Sequence, residues 1–440
     1  TNNNQEPMRH SISFALLLSV PSIQGFFTPR IGRPSTFSRV RVGSSLSTSS
    51  SSAASEATIE TQAPLQNVEI EKNKKKSTTL ALITFDLDDT LYPIASVIDE
   101  ANSAFAKAME KYGYEGIQPS DINLTGKEIR EEISAEDPER AAILTHTEIR
   151  ELAIRREMEK NMLKRKLQET ADDWATPVSD LADVVVSYAK KWAKTAVSPS
   201  IVEAVLTAWE MERHHAAERN LYPEVIDFLR ELKEQYPDVV IGAVTDGRAN
   251  PLLMRFTLGP YFDFCMSWED DQGGRSKFFK ELGSVEGNAE LSWIYNAAYD
   301  EYKQLSEVKK AINAAKPDDS DEEYTQNNGR KNEPKKVWIH VGDDLAYDVG
   351  GSASCGARTI LAELDKKKYG QTARFRFQPT SEQPQWSTNS ATELEKRKIL
   401  NENAKSQVDQ KVAFLSQLMD AVNKILEEVA DEEDDDEEED

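Results

Sequence analysis

The chain has 440 residues, and its 53 Lys and Arg against 77 Asp and Glu give a formal net charge of −24. So acidic a composition excludes a protein that coats nucleic acid, because neutralising phosphates requires a surplus of Lys and Arg. It does not exclude a small anionic substrate, since a metal ion and a few cations make a local positive site. With two cysteines only, Cys265 and Cys355, the chain has neither a disulfide framework nor a multi-cysteine metal site.

The N-terminal region has the composition of a targeting segment. A mostly apolar stretch at residues 11–20, too short to span a bilayer, is followed by a stretch rich in Ser and Arg that lacks acids. This order resembles the bipartite plastid presequence of algae with secondary plastids, in which a Phe, here Phe26 or Phe27, marks the first cleavage point. We therefore predict that residues 1–60 are presequence and linker, and that the mature protein lies in the plastid stroma, free of the membrane. An uncleaved N-terminal tail is the alternative.

Apolar runs along the rest of the chain predict the strands of a buried parallel sheet. The three long runs are Thr79–Phe85, Val239–Val244 and Val337–Val341, and shorter ones lie at Phe262–Met266 and Thr359–Ala362. The roughly 150 residues between the first two runs have helical periodicity and little Gly. The order of elements predicts an α/β fold, in which a doubly wound, Rossmann-like parallel sheet carries an all-α cap inserted after the first strand.

The same patterns predict where the parts of the chain begin and end. The C-terminal extension is predicted as one or two helices over Thr392–Ala430. The last ten residues are all acidic, and we expect them to stay solvated and to serve solubility or a protein partner. The predicted parts are the core at 78–92 and 222–370, the helical cap at 93–221, a flexible charged loop at 316–336, the extension at 371–430 and an acidic tail at 431–440.

Polar residues follow three of the predicted strands at the point where each strand ends. In an open parallel sheet the carboxyl ends of the strands form the ligand crevice, so we expect these side chains to converge. Converging carboxylates repel each other unless a cation lies between them, and hard oxygen ligands suit Mg²⁺. The sequence therefore predicts a Mg²⁺ site at this edge. The residues concerned are Asp86 and Asp88, then Thr245 and Asp246, then Asp343, Asp344 and Asp348.

These residue types suit the transfer of a phosphoryl group. Asp86 can attack phosphorus and form an aspartyl-phosphate, while Asp88 can protonate the leaving oxygen and later take a proton from water. Thr245 offers a hydroxyl, and the turn after it offers backbone N–H groups to phosphate oxygens. Lys277, in the segment GGRSK, supplies a positive charge that balances the carboxylates and the phosphate, and Arg275 is the alternative for this role.

The segments FDLDDTLY, AVTDG, GRSK and HVGDDLAYD occur in the order of motifs one to four of the haloacid-dehalogenase-like (HAD) hydrolase superfamily and resemble them, over residues 80–92 and 222–365. The helical insertion is similar to that family's type-one cap. One departure is Phe278, which stands where the family usually has Pro after the motif-three lysine. By position, the resemblance implies that Asp86 is the nucleophile and that Asp88 is the general acid and base. It implies that Mg²⁺ is bound by Asp86, Asp343 and the Asp88 backbone carbonyl. Phosphate binding is implied for Thr245, Asp246 and Lys277, and supporting roles are implied for Asp344 and Asp348.

The wording of the motifs is most similar to a bacterial branch of this superfamily. Members of that branch hydrolyse flavin mononucleotide (FMN) and 5-amino-6-(5-phospho-ribitylamino)uracil, a riboflavin precursor. The resemblance therefore implies a Mg²⁺-dependent phosphatase that acts on a small phosphorylated metabolite in riboflavin biosynthesis. The alternatives left open are a nucleotidase or phosphomutase of the same superfamily and, from another class, a non-catalytic plastid scaffold with the HAD fold.

The cap is expected to select the substrate. Arg156, Lys160 and Lys164 share one helical face and offer contacts to an anionic substrate, although a solvated face is the interpretation that such a pattern favours. His214 and His215 are adjacent in sequence and point in different directions on a helix, so they cannot form a metal pair of i, i+4 type. We expect surface or packing roles for both histidines.

Overall fold

The computed structural model describes residues 78–270, 292–314, 334–373, 375, 378, 383–384, 387 and 391–438. Three predicted features lie outside the described residues. They are the presequence at 1–60, the segment with Arg275 and Lys277, and the charged loop up to residue 333.

Six parallel strands form one sheet within the described part of the chain. The strand order is β3-β2-β1-β4-β5-β6, so the first strand in sequence lies at the centre. Leu82 pairs with Val240 of β2 on one side, and Thr84 pairs with His340 of β4 on the other. The predicted parallel α/β sheet is therefore confirmed. The strands are β1 Thr78–Phe85, β2 Val240–Thr245, β3 Phe264–Ser267, β4 Lys335–Gly342, β5 Arg358–Ala362 and β6 Gln410–Val412.

Helices occupy the insertion after β1 and cover the sheet. No described helix has the length and apolar character that crossing a membrane requires. Those between β1 and β2 are α1 Ile94–Lys111, α2 Pro119–Glu136, α3 Pro138–Ile143, α4 His146–Asp173, α5 Asp183–Ala196, α6 Pro199–Arg219 and α7 Val225–Gln235. Those that follow are α8 Ser292–Ala314, a π-helical turn at Leu345–Gly351, α9 Lys366–Tyr369, α10 Ala391–Ala404 and α11 Leu418–Glu438.

Helices α1–α6 pack around a hydrophobic core of their own. Phe105, Ile154 and Val205 are fully buried in this core together with Trp209. The Trp209 indole N–H also donates to the Asn102 side chain at 3.0 Å, so the one polar atom of that ring is satisfied. The helical insertion, which is the predicted cap, thus has a hydrophobic core distinct from those on the two faces of the sheet.

Both faces of the sheet are covered, as a doubly wound fold requires. On one face, α7 and α11 pack against residues such as Phe85 and Ile241. On the other face, α8 packs against Leu82 and Trp338. Gly242 of β2 is needed for this packing, because a Cβ at that position would lie 2.2 Å from the ring of Phe264.

The C-terminal extension differs from the predicted run of helices. Between α10 and α11 the chain forms β6, which pairs Leu361 with Lys411 and becomes the edge strand. Helix α11 then runs on to Glu438 and so includes residues 431–438 of the predicted acidic tail. Arg358 of β5 forms an ion pair with Glu432, which ties that part of the helix to the sheet.

Candidate active site

The turn after β1 places Asp86 and Asp88 at the carboxyl edge of the sheet. The Asp86 backbone N–H donates to Val341 O at 2.9 Å, and the Asp89 N–H donates to Tyr92 O at 2.8 Å. Asp89 has a φ of +61°, a left-handed conformation that Asp tolerates better than most residues. The chain therefore reverses immediately behind the central strand, with both carboxylates at the crevice.

The Asp89 side chain anchors this turn. One of its carboxylate oxygens accepts from the Ile94 N–H at 2.7 Å, and the other accepts from the backbone N–H groups of Thr372 and Ala373. Gln371 donates to the Asp89 carbonyl at 3.1 Å. Burial raises the pKa of Asp89 to about 6, although these backbone hydrogen bonds act in the opposite direction. Residues 371–373, which belong to the extension, thus hold the turn after β1 in place.

Three buried carboxylates converge beside the turn. Ligand oxygens of Asp86, Asp343 and Asp348 all lie within 4.8 Å of one another. Burial, and then repulsion from Asp348 and Asp343, raise the pKa of Asp86 well above its usual value. Buried carboxylates are costly when no cation compensates them, and an all-oxygen donor set is the one that Mg²⁺ prefers. The residues present therefore fit a Mg²⁺ ion.

Asp348 is part of this cluster, whereas the sequence pattern assigned it a supporting role. Its carboxylate accepts from the Tyr295 hydroxyl at 3.1 Å and from the Asp344 N–H at 2.8 Å, and His340 Nε2 lies 3.4 Å from it. Gly342 leaves the room that Asp348 occupies, because a Cβ on Gly342 would lie 2.2 Å from the Asp348 carboxyl carbon. The π-helical turn brings Asp348 back over the end of β4.

Asp344 has a different environment from its neighbours in sequence. Its side chain accepts from the backbone N–H groups of Ala346 and Tyr347, each at 2.9 Å, and so caps the π-helical turn. It also forms a buried ion pair at 2.7 Å with Arg397 of α10. The two backbone hydrogen bonds are those of a helix-capping residue.

Thr245 and Asp246 face the same crevice from the end of β2. Thr245 is buried, and its hydroxyl oxygen accepts from the Gly247 N–H at 3.3 Å, which leaves its proton available for a phosphate oxygen. A small cavity is bordered by both residues and by the carboxylates of Asp86 and Asp88. The edge of β2 thus supplies the polar groups that a phosphate site requires.

The cap contributes an arginine that the sequence did not single out. Arg213 of α6 is buried, and its guanidinium lies 2.5 Å from the Asp88 carboxylate. Burial is the largest effect and lowers the pKa of Arg213, but the attractions of Asp88, Tyr92, Glu269 and Asp246 together outweigh it, and the net shift is upward. Gly247 permits the approach, because a Cβ there would lie 2.8 Å from an Arg213 nitrogen. Cap and core are therefore linked by an ion pair to the proposed general acid.

A cavity between cap and core opens beside this ion pair. Its empty volume is about 790 Å³, including the open mouth. The polar side chains along it include Arg150 from α4 and Glu269 from the segment after β3. The apolar walls are formed by Ile94, Ile98, Ile122, Ile149 and Trp209.

The cap cations considered from the sequence lie elsewhere. Arg156 forms an ion pair with Glu132 at 2.7 Å, and Lys160 forms one with Glu157 at 2.6 Å. Lys164 is exposed, and none of these three cations lines the cavity. Arg156, Lys160 and Lys164 therefore belong to a solvated face of the helix, which is the interpretation that the sequence pattern favoured.

No protein-family model and no curated protein matches the chain. Among solved structures, a 2-haloacid dehalogenase from Pseudomonas syringae pv. tomato DC3000 is 17 % identical, with a TM-score of 0.38 over 79 % of this chain and 99 % of that chain. A HAD phosphatase from Thermococcus onnurineus is 14 % identical, with a TM-score of 0.29 over 78 % and 98 % of the two chains. The HAD-hydrolase YfnB from Bacillus subtilis, in a structure bound to magnesium, is 11 % identical, with a TM-score of 0.29 over 65 % and 90 %. These similar structures are named as HAD hydrolases, and because their TM-scores are low, the proposals below rest on the residues of this chain.

Proposed function

We propose that the protein is a Mg²⁺-dependent phosphatase that hydrolyses a phosphomonoester through an aspartyl-phosphate on Asp86. The observation that carries the proposal is the convergence of Asp86, Asp343 and Asp348 within 4.8 Å of one another at the carboxyl edge of the sheet. Asp88 and Thr245 border the same crevice. The order and wording of the four sequence motifs support the same reaction.

Asp86, Asp343 and Asp348 are the side chains that would hold Mg²⁺. When bound, the ion would offset the repulsion among these carboxylates and the negative charge of the phosphoryl oxygens. The Thr245 hydroxyl, whose proton is free, would donate to one of those oxygens.

The chemistry needs two carboxylates with different tasks. In the first step an Asp86 oxygen bonds to phosphorus, the bond to the leaving oxygen breaks, and Asp88 gives its proton to that oxygen. In the second step Asp88 takes a proton from water, the water oxygen bonds to phosphorus, and inorganic phosphate leaves the regenerated Asp86 carboxylate. The ion pair with Arg213 holds the Asp88 side chain at the crevice, where it can act in both steps.

We propose a small phosphorylated metabolite as the substrate and the plastid stroma as the compartment. The wording of the motifs makes FMN and 5-amino-6-(5-phospho-ribitylamino)uracil the first candidates, which would place the enzyme in riboflavin biosynthesis. The Ser- and Arg-rich N-terminal composition supports the compartment. The acidic C-terminus, whose first residues continue α11, is the segment we propose for a protein partner.

The test is release of inorganic phosphate from a panel of flavin intermediates, nucleotides and sugar phosphates, with Mg²⁺ and with EDTA. Turnover is expected only with Mg²⁺, and Asp86→Asn should lower kcat by at least about 10³-fold without changing the fold, because the nucleophile is lost. Asp99→Asn, at an exposed acid of α1, is the matched control and should retain activity. Wild-type turnover by Asp86→Asn, or no phosphate release from any member of the panel, would overturn the proposal.

A further inference from the structure

The cavity between cap and core contains an arginine without an acidic partner. Within the described part of the chain, Arg150 makes no hydrogen bond and no ion pair, and its guanidinium carbon lies 3.8 Å from the centroid of the Trp209 ring. Burial, and then repulsion from Arg213, lower the pKa of Arg150 to about 10. The guanidinium lines the cavity with hydrogen-bond donors that no described residue uses, so a ligand that brings an anionic acceptor is favoured.

The neighbouring charges do not neutralise Arg150. Arg213 is itself a cation, and it is engaged by Asp88 at 2.5 Å. Glu269 lines the same cavity, but its carboxylate accepts from the Thr147 N–H at 3.2 Å, and burial raises its pKa even though both arginines attract its charge. On Arg150 the attraction of Glu269 is weaker than burial and weaker than the repulsion from Arg213. Arg150 is therefore the arginine of this cavity for which the described residues supply no hydrogen-bonded or ion-paired carboxylate, although Asp88, Asp246 and Glu269 also line the cavity.

Arg150 lies on the side of the cavity that the leaving group of a substrate would occupy. The guanidinium carbon of Arg213 lies 5.7 Å from the centroid of the Trp209 ring, and that of Arg150 lies 3.8 Å from the same centroid. The two guanidinium carbons are therefore at most about 9.5 Å apart. Arg213 in turn touches Asp88, which would protonate the leaving oxygen. Because Asp88 and Arg150 line the same cavity, a leaving group whose oxygen is protonated by Asp88 would extend toward Arg150.

We propose that Arg150 binds a second negative charge, a carboxylate or a second phosphate, on the leaving group of the substrate. The enzyme then prefers phosphomonoesters whose leaving alcohol carries an acidic group to phosphomonoesters whose leaving alcohol is neutral. This inference rests on the proposed phosphatase function and names its substrate class. FMN and 5-amino-6-(5-phospho-ribitylamino)uracil, the first candidates from the motif wording, have leaving groups that are neutral at pH 7. A preference for a second negative charge would therefore replace them as the first candidates.

Matched substrates test the preference on the full-length protein. The first pair is 3-phosphoglycerate and glycerol 3-phosphate, which differ in a carboxylate against a hydroxymethyl group. The second pair is the bisphosphate and the monophosphate of propane-1,3-diol, which tests a second phosphate. In at least one pair, the member with the second acidic group should have a kcat/KM about 10- to 100-fold higher than the member without it. The difference should lie mainly in a lower KM, because one charge-assisted contact provides a gain of this size. The pair with the larger ratio identifies the chemistry of the second charge.

Substitution of Arg150 then assigns the preference to this side chain. Arg150→Gln should reduce the ratio within each pair to about 1, and Arg150→Lys should retain part of it, because the charge remains but the planar fork is lost. Lys164→Gln, at an exposed cation of the same helix, is the matched control and should leave the ratio unchanged.

Calorimetric binding of the same pairs to Asp86→Asn measures the preference without turnover, so it decides the inference even if no phosphate is released. A preference for the doubly charged members that disappears when Arg150→Gln is combined with Asp86→Asn supports the assignment. Equal dissociation constants within both pairs, or an undiminished preference in Arg150→Gln, would overturn it.

Discussion

Replacing Asp348 by Asn is expected to stabilise the metal-free protein and to weaken its binding of Mg²⁺. The two effects have opposite signs because Asp348 repels Asp86 and Asp343 when no cation lies between them and supplies a ligand oxygen when one does. An Asn side chain has the same shape. Its oxygen can still accept from the Asp344 N–H, and its amide can still meet the Tyr295 hydroxyl.

The magnitude follows from the distances. Two unit charges 4.8 Å apart interact by about 3.5 kcal/mol at an effective dielectric constant of 20, and Asp348 faces two such charges. The relief is smaller than the full sum because burial and repulsion raise the pKa of Asp86 and so favour its neutral form. Loss of charge-assisted hydrogen bonds subtracts a further ~1–2 kcal/mol. The free energy of unfolding of the metal-free protein should therefore rise by about 1–3 kcal/mol.

Thermal or urea unfolding in EDTA and in excess Mg²⁺ measures both effects. The wild type should gain about 2.7 kcal/mol at a Mg²⁺ concentration of a hundred times Kd, and Asp348→Asn should gain much less. Asp344→Asn is the matched control. That change removes the negative charge that lies 2.7 Å from the buried Arg397, so the variant should lose about 3–5 kcal/mol of unfolding free energy in either medium. The prediction is wrong if Asp348→Asn is less stable than the wild type in EDTA. It is also wrong if Mg²⁺ raises the free energy of unfolding of Asp348→Asn by as much as that of the wild type.

Two further substitutions test contacts of the cap cavity. Gly247→Ala places a Cβ 2.8 Å from an Arg213 nitrogen, so the guanidinium must move away from Asp88. Loss of this buried ion pair should lower the free energy of unfolding, and kcat should fall by about tenfold at temperatures where the variant stays folded; an unaltered kcat would show that this ion pair has no part in turnover. Burial raises the pKa of Glu269 above its usual 4.5, so this acid adds stability below pH 4.5, and that contribution is lost as the pH rises through the folded-state value. In Glu269→Gln this loss should be absent, so the free energy of unfolding of the variant relative to the wild type should increase from pH 4.5 upward; parallel urea-unfolding profiles would contradict the pKa shift.

The central strands and their polar ends could be predicted from the sequence because parallel strands buried on both faces are continuous apolar runs. The predicted runs Thr79–Phe85, Val239–Val244 and Val337–Val341 end within one residue of β1, β2 and β4. Once parallel pairing is assumed, the convergence of the carboxylates follows from the geometry of the sheet. Strand β6 was missed because Gln410–Val412 is three residues long with one apolar side chain, and its pairing with β5 decides its conformation.

The residues of the cap cavity could not be predicted because contacts between distant helices determine their roles. Arg150 and Arg156 look alike in the sequence, yet only Arg150 lies against Trp209 of another helix. His214 was conspicuous in the sequence, but it accepts from the Asn250 N–H at 3.2 Å and so has the packing role expected of it. The neighbouring Arg213, which nothing in the local pattern marked, is the residue that reaches Asp88.

The central position of β1 has a consequence for how the chain folds during synthesis. β1 is the first strand to emerge, but its partners Val240 and Val337 follow Leu82 by about 160 and 260 residues. Its apolar segment TLALITF must therefore stay unpaired while the cap, whose contacts are closer in sequence, folds first. The turn that carries Asp86 is anchored only when residues 371–373 arrive. Chaperones that bind extended apolar segments are expected to recognise β1 in the nascent chain, and the nucleophile is among the last groups to reach its final geometry.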